Sequence, residues 1–197
     1  ISAARLFTAA LKPQLGENIQ PSTLHIVEQI DSSLHRAEQL IAELREIARL
    51  DSGKQLARRK HFPLSQVLEG LEREFRPVAE SKGLALGVHT SSQWLYSDQS
   101  LIYRVLQNLL ANAIKYTGSG RVLLGARRRE EGLEIQVWDT GPGIAEKDQV
   151  RVFQEFERLN RQVQQPEEGL GLGLAIVQRY AQMLGHPLQL HSTQGEG

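Results

Sequence analysis

Between Pro21 and Leu50 the apolar positions alternate three and four apart: Val27, Ile30, Leu34, Ala37, Ile41, Leu44 and Ala48. That is a heptad seam, the stripe a helix presents to a second helix crossing it at a shallow angle. Gln20-Pro21 opens the helix, because proline is tolerated in the first turn, and Asp51-Ser52-Gly53 closes it. Ahead of it, Ala3, Leu6, Phe7, Ala10 and Leu11 mark a shorter amphipathic helix that ends near Leu15-Gly16. Two helices with so narrow a seam bury little surface by themselves. The pattern therefore predicts an antiparallel hairpin over residues 1–52 that makes a homodimer through residues 1–50, a four-helix bundle, rather than an appendage on its own domain.

Past Gly53 the period changes. Val67, Leu68, Leu71 and Phe75 predict a helix, led in by His61-Phe62-Pro63-Leu64. Leu84, Leu86 and Val88 alternate like a strand, and Ser97-Asp98 caps a helix running to Tyr116 with a core stripe of Ile102, Leu106, Leu109 and Ala113. Arg121–Arg129 and Leu133–Asp139 read as two strands joined by a charged turn, where Glu130 and Glu131 offset the Arg127-Arg128-Arg129 cluster. A helix from Gly171 to Leu184 and a last strand, Leu188-Gln189-Leu190, complete an α+β sandwich over residues 53–197, with one sheet covered by helices on one face.

Composition narrows the possibilities. The chain has 197 residues, 40% of them apolar, enough for a sizeable core. Its 23 basic and 23 acidic side chains cancel, which argues against a nucleic-acid partner. No apolar run is long enough to span a bilayer and no signal peptide is read, so no membrane contact by this segment and a cytoplasmic location are expected. With no cysteine there is neither a disulfide nor thiolate chemistry.

Three patterns carry chemistry. Alternation from Leu133 through Ile135 and Val137 puts Asp139 on the covered face of its strand, where a carboxylate costs several kcal/mol unless bonded. Gly141 and Gly143 follow at once and allow a close backbone approach, so the carboxylate could accept the exocyclic amine of adenine, although a strand-end Asp capping its own turn gives the same local pattern. Asn108, Asn112 and Lys115 share one flank of their helix, an amide–amide–ammonium stripe suited to a hydrated Mg²⁺ and the phosphates it bridges. Gly169, Gly171 and Gly173 open a helix whose amides and dipole favour an anion. The pattern is neither a dinucleotide fingerprint nor a P-loop.

Taken jointly, these segments resemble the sensor histidine kinases. Leu106 to Thr117 is similar to their N box, Asp139-Thr-Gly-Pro-Gly-Ile144 to the G1 box, Phe153-Gln-Glu-Phe156 to the F box, and Gly169 to Leu174 to the G2 box. The resemblance implies a GHKL or Bergerat-type ATP-binding sandwich, shared with gyrase-type and chaperone ATPases. It implies ATP and Mg²⁺ as cofactors, with Asp139 reading adenine, Asn112 and Asn108 holding the metal, and Lys115 and Tyr116 near the phosphates. Gly141, Gly143 and Ile144 would shape the base pocket, and Gly169, Leu170, Gly171, Leu172, Gly173 and Leu174 would hold the triphosphate beneath a lid from Glu157 to Glu168.

Ile1 to Phe7 resembles the stretch that follows the phosphoacceptor motif in a hybrid subgroup. The acceptor histidine is therefore expected upstream of Ile1, and a receiver domain or response regulator is expected as the phosphoryl acceptor. His25 and His35 read as surface residues and His61, His89, His186 and His191 as structural. A gyrase-type hydrolase needs a Glu on the N-box helix, and none occurs between Asp98 and Arg129. A degenerate nucleotide-binding signalling module is the remaining alternative. The segment from Asp51 to His61 is the expected hinge.

Overall fold

The computed structural model describes residue 7 and residues 21–53, 55–130, 132–157 and 171–197. Phe7 is helical and exposed; the rest of the expected first helix, with Ala3, Leu6, Ala10 and Leu11, lies outside the described residues. Helix α1 (Pro21–Asp51) is the long helix the heptad pattern predicts, and it stops at Gly53, whose φ of +63° a side chain would resist. Strand β1 (Lys60–Pro63) leads into α2 (Leu64–Ser81), followed by β2 (Ala85–Val88), β3 (Trp94–Ser97) and α3 (Gln99–Tyr116). Strands β4 (Arg121–Arg129) and β5 (Gly132–Asp139), two short 3₁₀ turns and α4 (Gly173–Leu184) complete the order.

Among the described residues two sheets, not one, carry the strands. β4 is central in a three-stranded sheet, parallel to β2 and antiparallel to β5, with Val122 opposite Asp139. β1 and β3 form a separate antiparallel ribbon. Each ribbon strand is four residues long, with Phe62 the buried residue of β1, too short for alternation to register in the sequence. Val122 and Leu124 turn inward from β4 and are fully buried beneath α2, α3 and α4. Leu133, Ile135 and Val137 pack on the same core, so the strand face expected for Asp139 is the one observed.

The stripe of α3 corrects one expectation. Leu110 is fully buried while Leu109 is half-exposed, because at 3.6 residues per turn the face set by Leu106 passes through Leu110 before Ala113 and Ile114. The cap is as expected: Asp98 Oδ1 accepts from the amides of Ser100 (3.0 Å) and Leu101 (3.2 Å). At the other end the Lys82 ammonium donates to the carbonyls of Ile114 and Lys115, satisfying acceptors the helix leaves open. A second correction falls on Leu188–Leu190. Both leucines are half-buried and Gln189 is exposed, so the alternation is real, yet the segment pairs with no strand among the described residues. Alternation reports which side faces the core, whereas a strand also needs a ladder partner.

Along α1, Ile47 and Leu50 belong to the sandwich core and Leu40 packs against it. The expected seam behaves differently. Val27 is buried, but Ile30, Ile41 and Leu44 remain 45%, 46% and 40% exposed.

Candidate nucleotide site

The second half of α3 and the first turn of α4 meet at a glycine. A Cβ at Gly173 would lie 3.2 Å from Asn108 Oδ1 and 3.6 Å from Asn112 Nδ2, so both amides line the start of α4. Asn108 Nδ2 donates to the Arg104 carbonyl (2.9 Å), which fixes the side chain and leaves its oxygen as an acceptor. Two neutral amide oxygens beside a helix start fit a hydrated Mg²⁺, which takes few protein ligands and keeps water and phosphate for the rest. Lys115 follows on the same flank. Its ammonium stands 4.8 Å from the Tyr116 ring centre and 3.3 Å from the Tyr116 hydroxyl.

At the end of β5 lies the second cluster. Asp139 is half-buried, and its Oδ1 accepts from the Gly141 amide (2.8 Å) and the Thr117 hydroxyl (3.3 Å). Among the described residues nothing donates to Oδ2. The carboxylate is thus held by one oxygen and offers the other. A Cβ at Gly141 would fall 2.6 Å from Oδ1, so a side chain there would displace it. Gly143 sits at φ +64° with its missing Cβ against the Thr193 carbonyl, and Ile144 donates its amide to Ser192 Oγ (2.8 Å). The chain's last residues therefore brace the glycine loop. Sequence reasoning missed Thr117 as the second donor to Asp139 and Ser192 as the brace. Thr117 is fully buried, and a buried hydroxyl without an obvious partner is a signal only once burial is known.

The glycine turn before α4 is partly described. Gly171 adopts φ +75°, and its carbonyl accepts from the Phe156 amide (3.2 Å); Leu172 is fully buried and Leu174 half-buried. Gly169, Leu170 and the expected lid beyond Glu157 lie outside the described residues. Phe156 is exposed and has φ +61°, a left-handed geometry that costs a side-chain-bearing residue roughly 1–2 kcal/mol. A cleft of about 1030 Å³ opens beside this site, between α1 and α3, with Glu43, Arg58, Lys60, Arg104, Asn108 and Tyr180 in its wall. It lies on the Asn108 side and does not include Asp139.

This arrangement has a family. Residues 97–197 match the model of the histidine kinase-, DNA gyrase B- and HSP90-like ATPases, and the chain belongs to that family. Among curated proteins it is 36% identical over 170 residues to the autoinducer 2 sensor kinase/phosphatase LuxQ of Vibrio cholerae, covering 81% of this chain and 20% of that one. It is 27% identical over 191 residues to the signal transduction histidine-protein kinase BarA of Escherichia coli K12, covering 93% of this chain and 21% of the relative. The chain thus spans about a fifth of the length of these relatives. Among solved structures it is similar to full-length ShkA in complex with AMPPNP, at a TM-score of 0.70 and 25% identity, covering 87% of this chain and 36% of that one. No helix among the described residues is long and apolar enough to cross a membrane.

Proposed function

We propose that this chain is the core of a hybrid-type sensor histidine kinase, which binds Mg·ATP and passes the γ-phosphoryl group to a histidine of its helical bundle. The observation that carries this reading is Asp139, with Oδ1 doubly bonded, Oδ2 open, and a glycine loop beside it. An acceptor fixed in this way selects an exocyclic amine, as adenine has and guanine lacks at that edge. Asn112 and Asn108 then hold Mg²⁺, Lys115 and Tyr116 approach the phosphates, and Gly169 to Leu174 cradle them. Bound ATP supplies the phosphoryl group. The protein's part is position and charge, which is most of what phosphoryl transfer requires.

Residues 1–52 form the dimerisation hairpin and 53–197 the nucleotide domain. Ile30, Ile41 and Leu44, exposed on the heptad seam, support a second copy as their cover. The phosphoacceptor lies upstream of Ile1. His25 and His35 are exposed and engaged one turn on, with Gln29 (3.0 Å) and Gln39 (3.2 Å), as helix-surface residues are. Relay goes to an aspartate of a receiver domain or response regulator, in the cytoplasm. The absence of a Glu on α3 disfavours water activation and hence the hydrolase reading.

The test is Asp139→Asn. Calorimetry with Mg·ATP should show affinity falling by about 100-fold or more, the scale of a lost charge-assisted bond of ~3 kcal/mol, while circular dichroism is unchanged. Unaltered affinity in the folded variant refutes the assignment.

A further inference from the structure

Alternation along β5 divides its side chains between the two faces of the sheet. Leu133, Ile135, Val137 and Asp139 turn inward, toward the helices, and Glu134, Gln136 and Trp138 turn outward. On β4 the outward set is Arg121, Leu123, Gly125, Arg127 and Arg129, because Leu123 lies opposite Trp138 and Arg127 opposite Glu134. Trp138 is 47% exposed, and Arg121, Arg127 and Gln136 are exposed as well. Among the described residues this outer face is therefore open, although the inner face of the same strands is packed.

The open face has an aromatic centre in a field of positive charge. The Arg121 guanidinium stands 5.5 Å from the Trp138 ring centre. A Cβ at Gly87 would lie 2.6 Å from Leu123 Cδ2, and one at Gly125 would lie 3.2 Å from His89 Cβ. These two glycines let Leu123 and His89 lie along the sheet, so the surface around Trp138 is low. Arg121, Arg127 and Arg129 share the face with a single carboxylate, Glu134, and Arg129 already pairs with it. Arg121 and Arg127 make no ion pair among the described residues. The chain as a whole is neutral, so positive charge is gathered here and balanced elsewhere. Tryptophan and arginine are the side chains that most often dominate binding once a partner excludes water from them.

We propose that the open face of the three-stranded sheet is a docking surface for an acidic amphipathic protein helix, which sets apolar side chains on Trp138 and Leu123 and carboxylates on Arg121 and Arg127. The two arginines lie roughly 20 Å apart along β4 at about 3.4 Å per residue, a span matched by about thirteen residues of helix at ~1.5 Å each. Charge selects this occupant over two others. A second copy docking by twofold symmetry would set the same cationic face against itself. A nucleic acid carries a phosphate at every step and would meet Glu134 among the arginines, in a chain with no basic excess. A helix can place its carboxylates over the arginines and leave a neutral side chain over Glu134. Trp138 and Asp139 are successive residues on opposite faces of β5, so docking leaves the nucleotide cluster accessible and the two ligands bind independently.

The chain has two tryptophans, and Trp94→Phe at an exposed position leaves Trp138 as its own reporter. The probe is a synthetic helical peptide of about 18 residues, long enough to reach both arginines, with a leucine stripe flanked by glutamates. A peptide of the same composition in scrambled order is the control. In the Trp94→Phe protein at low ionic strength, the patterned peptide should shift Trp138 emission to the blue and saturate, and the scrambled one should bind at least about fivefold more weakly. Arg121→Ala and Arg127→Ala should each lower affinity by about fivefold, the upper end for an exposed charge pair. Arg128→Ala removes the same charge from the opposite side of β4 and should change affinity by less than about twofold. Cooperative thermal unfolding of each variant reports that it is folded. Mg·ATP should leave peptide affinity unchanged. No emission shift with the patterned peptide overturns the proposal, as does an equal loss at Arg128, which would reduce the effect to net charge. Tighter binding of an oligothymidylate than of the peptide gives the face to nucleic acid and overturns it too. Displacement of the peptide by Mg·ATP would move the peptide to the nucleotide site and overturn the independent face, while leaving the function proposed above intact.

Discussion

Helices α3 and α1 are both amphipathic, and they use that property in opposite ways. In α3 the apolar stripe through Leu106, Leu110, Ala113 and Ile114 is buried within its own chain, and the polar flank beside it, Asn108, Asn112 and Lys115, is free for chemistry. In α1 the regular stripe is only partly covered, with Val27 buried, Leu34 and Ala37 half-buried and Ile30, Ile41 and Leu44 exposed, while the irregular stripe carrying Glu43 makes the contact with the sandwich. The regularity of a heptad thus does not say that it packs within the chain. It says that the face is built for a helix of matching period.

The largest effect that separates the two helices is on assembly. Ile30→Asp combined with Leu44→Asp places two charges on the open seam, at several kcal/mol each once that seam is packed. Light scattering at micromolar concentration should return twice the chain mass for the parent and the single mass for the variant, with the sandwich still folded. A monomeric parent would remove the reason for the seam. The next effect runs the other way. Leu110→Ala empties a fully buried site in α3 and should lower stability by about 3 kcal/mol, whereas Leu44→Ala, studied at concentrations where the chain is monomeric, should cost under about 0.5 kcal/mol. Equal losses at the two positions would mean that α1 is packed within the chain as tightly as α3.

The same contrast explains what was legible in the sequence. Asn108, Asn112, Lys115 and the Asp139 glycine turn could be read because helical and strand periods place them side by side locally. The cap at Asp98 is equally local. Thr117 as a donor to Asp139, twenty-two residues away, could not be read, nor could Glu46 against Tyr180 or Asp51 against Arg179, because these pairs exist only once the chain has folded. The docking stripe of α1 was hidden for a chemical reason: Glu43 interrupts its apolar pattern. The ribbon of β1 and β3 and the unpaired Leu188–Leu190 segment fail in complementary ways. The ribbon has partners but almost no alternation, and the segment has alternation but no partner.

The smallest effect concerns Tyr180 of α4, which links the two regions: its hydroxyl accepts from Arg104 of α3 (3.3 Å) and donates to Glu46 of α1. Burial first, and then the hydrogen bond to Glu46, push its hydroxyl from 10 up to about 12. Tyr103 is pushed to about 12 as well, by burial and by its bond to Glu74. In both cases the folded chain keeps a proton that the unfolded chain releases near pH 10, so the unfolded state binds fewer protons above that pH. The contribution is therefore fully present below pH 10 and is lost as pH climbs through 12. Urea titrations should show that the stability difference between the parent and Tyr180→Phe holds constant from pH 7 to 9 and shrinks by about 1 kcal/mol between pH 10 and 12. Groups common to both proteins, Tyr103 among them, cancel in the difference. A difference that stays flat to pH 12 would mean that the Tyr180 hydroxyl is not confined against Glu46, and the contact of α1 with the sandwich would then rest on Leu40, Ile47, Leu50, the Arg104–Glu46 pair and the Arg179–Asp51 pair.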